Sequence, residues 1–160
     1  MKKIFIIVGL VLFFSQSSYI HGILFSVDPI KSKINFKIKQ LKFYDVQGEF
    51  KAYSIYVNID DKTNIQNIQA VVDTNSVDSN NKTRDRHLRG IRFFNSLQFP
   101  NIEFYSKDVK NLKDNEISGT LKIKGISDDI LINFQASSVQ TNDQNLLRIQ
   151  SDFFIDRKKF

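Results

Sequence analysis

Lys33-Ile34-Asn35-Phe36-Lys37-Ile38-Lys39 alternates polar and apolar residues without a break. A two-residue period belongs to a half-buried β-strand, with Ile34, Phe36 and Ile38 toward one face and the lysines and Asn35 toward water. The same period returns along the chain. Val46, Gly48, Phe50 and Ala52 keep it on even numbers, then Ile55, Val57 and Ile59 on odd ones, which places a bulge, bend or turn near Tyr53. Further alternating runs are Ile68, Ala70, Val72 and Thr74; Ile102, Phe104 and Ser106; Ile117, Gly119, Leu121 and Ile123; Ile130, Ile132, Phe134 and Ala136; and Leu147, Ile149, Ser151 and Phe153. Turn signals fall at Asp28-Pro29, Asp60 to Asn64, Lys113-Asp114-Asn115 and Ser127-Asp128. Between Asp78 and Phe99 the period changes: Leu88, Ile91, Phe94 and Leu97 recur every three residues, as in a short amphipathic helix or two helical turns split at Gly90. Pro100 then returns the chain to extended structure. About eight strands with short connections and one helical insert predict an antiparallel sandwich or barrel.

A chain of 160 residues supports one domain. Its 41% hydrophobic and 25% charged residues are those of a globular protein, and 15 Phe with no Trp suit either a greasy β interior or a Phe-rich core. Lys2 and Lys3, the apolar run Ile4 to Phe14 and the small polar stretch Ser15 to Gly22 have the form of a secretory signal peptide over residues 1–22, cleaved between Ser17 and Gly22. That run is shorter than the roughly 20 apolar residues a spanning helix needs. A periplasmic mature protein is therefore expected. With no Cys it has neither a disulfide nor a lipid-modified tether. The net charge of +6 is dispersed over lysines such as Lys33, Lys37 and Lys39, which reads as solvated strand faces.

His87 stands alone in the expected mature chain, no cluster has metal-ligand spacing, and there is no Gly-rich phosphate loop or Gly-x-Ser-x-Gly elbow. Neither enzyme, metal nor cofactor is expected. Phe36, Phe50, Phe104 and Phe134 share the apolar phase with Ile, Val and Leu, so they are not a stacking surface and no nucleic-acid partner is expected. The most charged stretch is Thr83-Arg84-Asp85-Arg86-His87-Leu88-Arg89, and two readings of it stay open. Arg84, Arg86, Arg89 and His87 clamp a head group or carboxylate; or Asp85 pairs with an arginine while His87 anchors the helix on the barrel. An eight-stranded barrel encloses space for side chains or for one small ligand. Gly48, Ala52, Ala70, Gly119 and Ala136, on the inward phase, leave volume for such a ligand or pack against bulky neighbours.

Arg84-Asp85-Arg86-His87-Leu88 resembles a segment of the YceI-like family of periplasmic polyisoprenoid-binding proteins. The resemblance runs from Phe25 to Phe160. It takes in Asp28-Pro29 with Ser32 and Phe36, Gly48-Glu49-Phe50, Asn75-Ser76-Val77 and Phe93-Phe94-Asn95. Further on come Phe99-Pro100-Asn101-Ile102-Glu103-Phe104 with Ser106, and Gly119-Thr120-Leu121-Lys122-Ile123-Lys124-Gly125. Each is weak alone, and their order over the whole span makes the match specific. The resemblance implies an all-β, antiparallel, eight-stranded lipocalin-like β-barrel with a short helical insert, which binds or carries a long isoprenoid lipid, a quinone or polyprenyl type, in its interior. Ile34, Phe36, Ile38, Phe50, Ile68, Ala70, Val72, Phe104, Leu121, Ile123, Ile132 and Phe134 are the expected ligand-binding residues, with Arg84, Asp85 and His87 as polar or anchoring ones. Two departures stand out: Lys31 precedes Ser32 where many relatives carry a histidine, and the late segment Asp152 to Phe160 is where the family goes on to a closing strand. The barrel domain over residues 23–160 is thus expected to be C-terminally truncated and to lack its last strand, which predicts exposed edges and with them lower stability, a homodimer or aggregation. The alternative reading is a non-catalytic interaction module that docks an acidic partner or, transiently, a membrane surface through Arg84 to Arg89.

Overall fold

A computed structural model describes residues 3–13, 23–27, 31–40, 44–59, 65–109, 115–140 and 145–160. The strands are β1 (Lys3–Phe13), β2 (Ile23–Val27), β3 (Lys33–Gln40), β4 (Tyr44–Phe50), β5 (Tyr53–Ile59), β6 (Ile65–Asp73) and β7 (Val77–Asp78), then β8 (Asn101–Val109), β9 (Glu116–Ile123), β10 (Ile126–Gln140) and β11 (Asn145–Asp156). One helix, α1 (Lys82–Arg89), lies between β7 and β8, and 3-10 turns occupy Thr74–Ser76 and Arg157–Lys159. Every pairing is antiparallel. The ring runs β11-β10-β9-β8-β6-β5-β2-β1 and back to β11. β2 and β3 pair with successive stretches of β1, and β5 and β4 pair with β2 and β3 in turn. β7 continues β6 against β4. Counting each bent pair as one strand leaves the expected eight-stranded barrel.

The phase slip near Tyr53 is a bend shared by neighbours. Lys51 N donates to Ser76 O at 3.1 Å and Asp73 N to Ala52 O at 3.0 Å, so the β4–β5 and β6–β7 strands turn the same corner together. The Tyr53 hydroxyl donates to the Ser32 carbonyl at 2.5 Å, pinning the corner to the start of β3. Ala52 sits on that corner and is exposed, not on the inward phase. The β9–β10 hairpin turns at Lys124-Gly125, whose φ values of 51° and 78° are those of a two-residue I′ turn. Ser127 and Asp128 lie inside β10 instead of in a turn. The turns expected at Asp28-Pro29, residues 60–64 and 113–114 lie outside the described residues.

β1 fills the place of the strand expected to be missing. It runs from Lys3 opposite Asp156 to Leu12 opposite Leu147 on one side, and from Ile4 opposite Ile38 to Gly9 opposite Lys33 on the other. The physical reason is composition. Ile4, Ile6, Ile7, Val8 and Val11 are β-branched, and a short apolar run suits a central strand as well as it suits a leader.

α1 stops at Gly90, and the three-residue spacing beyond it does not trace one helical face. Leu88 and Phe94 are buried, whereas Ile91 is 79% and Leu97 98% exposed. The outer strand faces carry the lysines as expected, several of them in cross-strand ion pairs such as Lys37–Asp45 at 2.6 Å and Lys107–Asp129 at 2.7 Å. Exposed pairs of this kind add about 0–1 kcal/mol each. The apolar core therefore carries the stability.

Candidate apolar ligand site

A cavity of about 120 Å³ lies inside the barrel. Of the residues expected there, Ile34, Phe50, Ile68, Ala70, Val72, Phe104, Leu121, Ile132 and Phe134 line it. Ile55, Ile102, Ile117, Ile149 and Phe153 line it as well. All five were on the apolar phase of their strands, and alternation alone does not rank one inward position above another. The lining has a single hydroxyl, that of Ser151, which donates to Asn133 O at 2.7 Å. Nothing among these walls asks for a polar ligand atom, and such a cavity stays dry when empty.

Of the two readings of the small inward residues, Gly48 and Gly119 follow the second and pack against bulky neighbours. A Cβ on Gly48 would come within 2.6 Å of the Phe36 ring, and one on Gly119 within 2.5 Å of the Phe104 ring. Each glycine is the bed for a neighbouring aromatic ring, an arrangement known from sheet glycines covered by a cross-strand partner. Ala70, by contrast, does face the cavity, and Ala136 is half-buried against the core.

Phe36 lines no part of the interior cavity. Its ring packs against Phe50 at 5.4 Å and Phe94 at 6.4 Å, and Phe50 packs against Phe94 at 5.4 Å. The tilted and edge-on geometries are the favourable ones for aromatic pairs. Ile34, one step along the same face of β3, lines the interior; Ile38, one step the other way, lines a second cavity of about 610 Å³. The three rings thus form a plug between interior and mouth. Val46, Leu88, Ile91 and Phe93 complete the apolar part of the mouth, and Arg84, Arg86, His87 and Arg92 stand around it. Ile123 belongs to a smaller cleft of about 150 Å³ beside Phe93 and Phe160.

The charged stretch is divided in its duties. Asn81 caps α1, accepting from Arg84 N at 3.0 Å. Asp85 is buried and accepts from Ser79 N at 2.9 Å and from the Ser79 hydroxyl, so its partner is Ser79 rather than an arginine. Arg84 Nε donates to the same hydroxyl at 2.8 Å, and its guanidinium also reaches the Ser79 carbonyl. Arg89 donates to Asn75 O at 2.8 Å and Val77 O at 2.9 Å. Two of the three arginines therefore tie α1 to the strand beneath it. His87, read as a helix anchor or part of a clamp, is exposed, as are Arg86 and Arg92. Lys159 is already engaged: its hydrogen bond to Asp128, and then that carboxylate's charge, raise its pKa above the ordinary 10.5. Among the described residues no group of His, Cys, Asp and Glu could hold a metal ion, and no helix is long and apolar enough to cross a membrane.

Residues 25–160 match the YceI-like domain. A UPF0312 protein of Staphylococcus epidermidis is 30% identical over 123 residues, covering 76% of this chain and 70% of that protein. Protein YceI of Salmonella newport is 33% identical over 101 residues, covering 62% of this chain and 53% of its own length. Among solved structures, the YCEI protein of Campylobacter jejuni superposes with a TM-score of 0.67 at 28% identity, over 78% of this chain and 76% of that one. BcnA of Burkholderia cenocepacia, at 19% identity and a TM-score of 0.64 over 81% of this chain and 99% of its own, shares the fold.

Proposed function

The chain belongs to the YceI-like domain family, whose members bind hydrophobic ligands, and from that premise we propose that it holds the tail of an isoprenoid lipid, of quinone or polyprenyl type, inside the barrel. The observation that supports this reading is the interior cavity, whose walls are apolar apart from one internally bonded serine. Burying a branched hydrocarbon tail there gains about 25 cal/mol per Å² of apolar surface and needs no directional contact. The cavity of about 120 Å³ is below the roughly 300–1,000 Å³ of small-molecule pockets. A long tail enters by turning the Phe36, Phe50 and Phe94 rings, which joins the interior to the mouth. Export to the periplasm, with Lys2, Lys3 and the apolar run acting as a leader, belongs to the same proposal: removing the leader takes β1 from the ring but leaves the cavity-lining residues named above, Ile34 to Phe153, in the mature chain, and no catalytic step belongs to it. The test is organic extraction of the purified, folded chain followed by mass spectrometry. An isoprenoid in the extract is the expected result; an empty extract from folded protein overturns the reading.

A further inference from the structure

The loop between α1 and β8 holds two large apolar side chains out in water, and it does so on a rigid frame. Phe94 N donates to Leu88 O at 3.0 Å, Ser96 N to Arg89 O at 2.9 Å, Asn95 N to Gly90 O at 3.0 Å and Phe99 N to Asn95 O at 2.9 Å. Asn95 takes a left-handed φ of 49°, and Phe94 anchors the loop in the aromatic plug. Ile91 and Leu97 project from this frame, 79% and 98% exposed. Single exposed apolar residues are ordinary on protein surfaces. Here Ile91 lines the apolar mouth of about 610 Å³ together with Arg86 and Arg92, and Leu97 projects from the same loop.

Arg86 and Arg92 are exposed and have no acidic partner among the described residues, and Lys124, on the neighbouring β9–β10 turn, lines the adjoining cleft with Arg92. Among the described acids at this end, Asp85 is buried on Ser79, Asp45 is paired with Lys37 at 2.6 Å, Asp128 is paired with Lys159 at 2.7 Å, and Asp156 accepts from Lys158 N at 3.0 Å beside that same Lys159. Apolar tips within a cationic rim are complementary to an interface whose head groups are negative and whose interior is hydrocarbon.

We propose that the mouth of the barrel, with Ile91 on its edge, Leu97 exposed on the same loop and Arg86 and Arg92 as its cationic rim, is a docking face for an anionic phospholipid bilayer. The face places the mouth against the membrane, so a lipid tail passes between bilayer and barrel without crossing water. The inference rests on the ligand reading for its purpose but not for its geometry.

Flotation of the full chain with phosphatidylcholine vesicles, with and without phosphatidylglycerol, tests it. The chain floats with the anionic vesicles and stays behind with the neutral ones. Arg86→Gln combined with Arg92→Gln lowers the partition coefficient by about an order of magnitude, and Leu97→Asn lowers it further at salt that screens the arginines. All three side chains are exposed, so an unchanged thermal midpoint shows that the variants remain folded. A wild-type chain that ignores anionic vesicles, or a double variant that floats as well as wild type, overturns the proposal. Extraction of the same preparations separates the two readings. Vesicle binding with an empty extract removes the ligand and keeps the docking face, whereas an isoprenoid in the extract without vesicle binding does the reverse.

Discussion

Gly119 shows how closely this barrel is filled at the scale of one residue. The Phe104 ring lies where a side chain on Gly119 would begin, and the Tyr105 carbonyl is 2.6 Å from the same point. The ring could turn, but the backbone carbonyl cannot without disturbing the β8–β9 ladder. Gly119→Ala should therefore destabilise the chain by about 1–3 kcal/mol, the range for overpacking a filled core. The midpoint of urea unfolding measures this, and an unchanged midpoint would mean that the ring and the carbonyl are not the walls they are taken to be. The sequence marks Gly119 as an inward position and leaves its purpose open. A small residue on an apolar phase has two meanings, an empty space or a bed for a neighbour, and only the neighbour's rotamer distinguishes them.

At the scale of the element, α1 is a strap rather than an isolated amphipathic helix. It buries Leu88 and the Asp85 carboxylate, while Arg84 and Arg89 reach down to carbonyls at residues 75, 77 and 79. Removing the Arg89 guanidinium leaves two backbone carbonyls without their charged donor, a loss of about 1.5–3 kcal/mol per charged hydrogen bond at most. Arg89→Gln should lower the unfolding free energy by about 2 kcal/mol. Arg86→Gln, one turn away and facing water, should leave it within about 0.5 kcal/mol of wild type. Equal effects in a denaturant titration would refute this division of labour. The run of arginines was visible in the sequence, but which of them face the strand depends on the rotation of the helix about its axis. The exposure of Ile91 and Leu97 has a related cause: their spacing fits a short amphipathic helix or two helical turns split at Gly90, and only the fold of the turn after Gly90 leaves both in water.

At the scale of the whole molecule, closure of the ring depends on β1. Its backbone pairs with β11 along ten residues and with β3 along six. Under the proposed export, cleavage of residues 1–22 would take this strand away and leave the edges of β3 and β11 facing each other across one strand's width. Such edges invite pairing with another chain. Hydrogen exchange on the full chain and on a chain lacking residues 1–22 is the measurement. Amides of 33–38 and 147–156 should lose protection in the shorter chain, unless it dimerises through the same edges, which size-exclusion chromatography detects. Full protection in a monomeric shorter chain would show that the barrel closes without β1.

Alternation was enough to determine most of the strands, an antiparallel sandwich or barrel and most of the cavity wall, because a pleated strand sends every second side chain to one face whatever its neighbours do; the choice of the barrel came with the family resemblance. Tertiary structure alone decided the rest. The filling of the glycine beds, the duties of the arginines and the seating of the apolar N-terminal run between β3 and β11 are settled by contacts between residues far apart in the chain. No local period carries that information, since each of these outcomes depends on the shape of the space that the other strands leave.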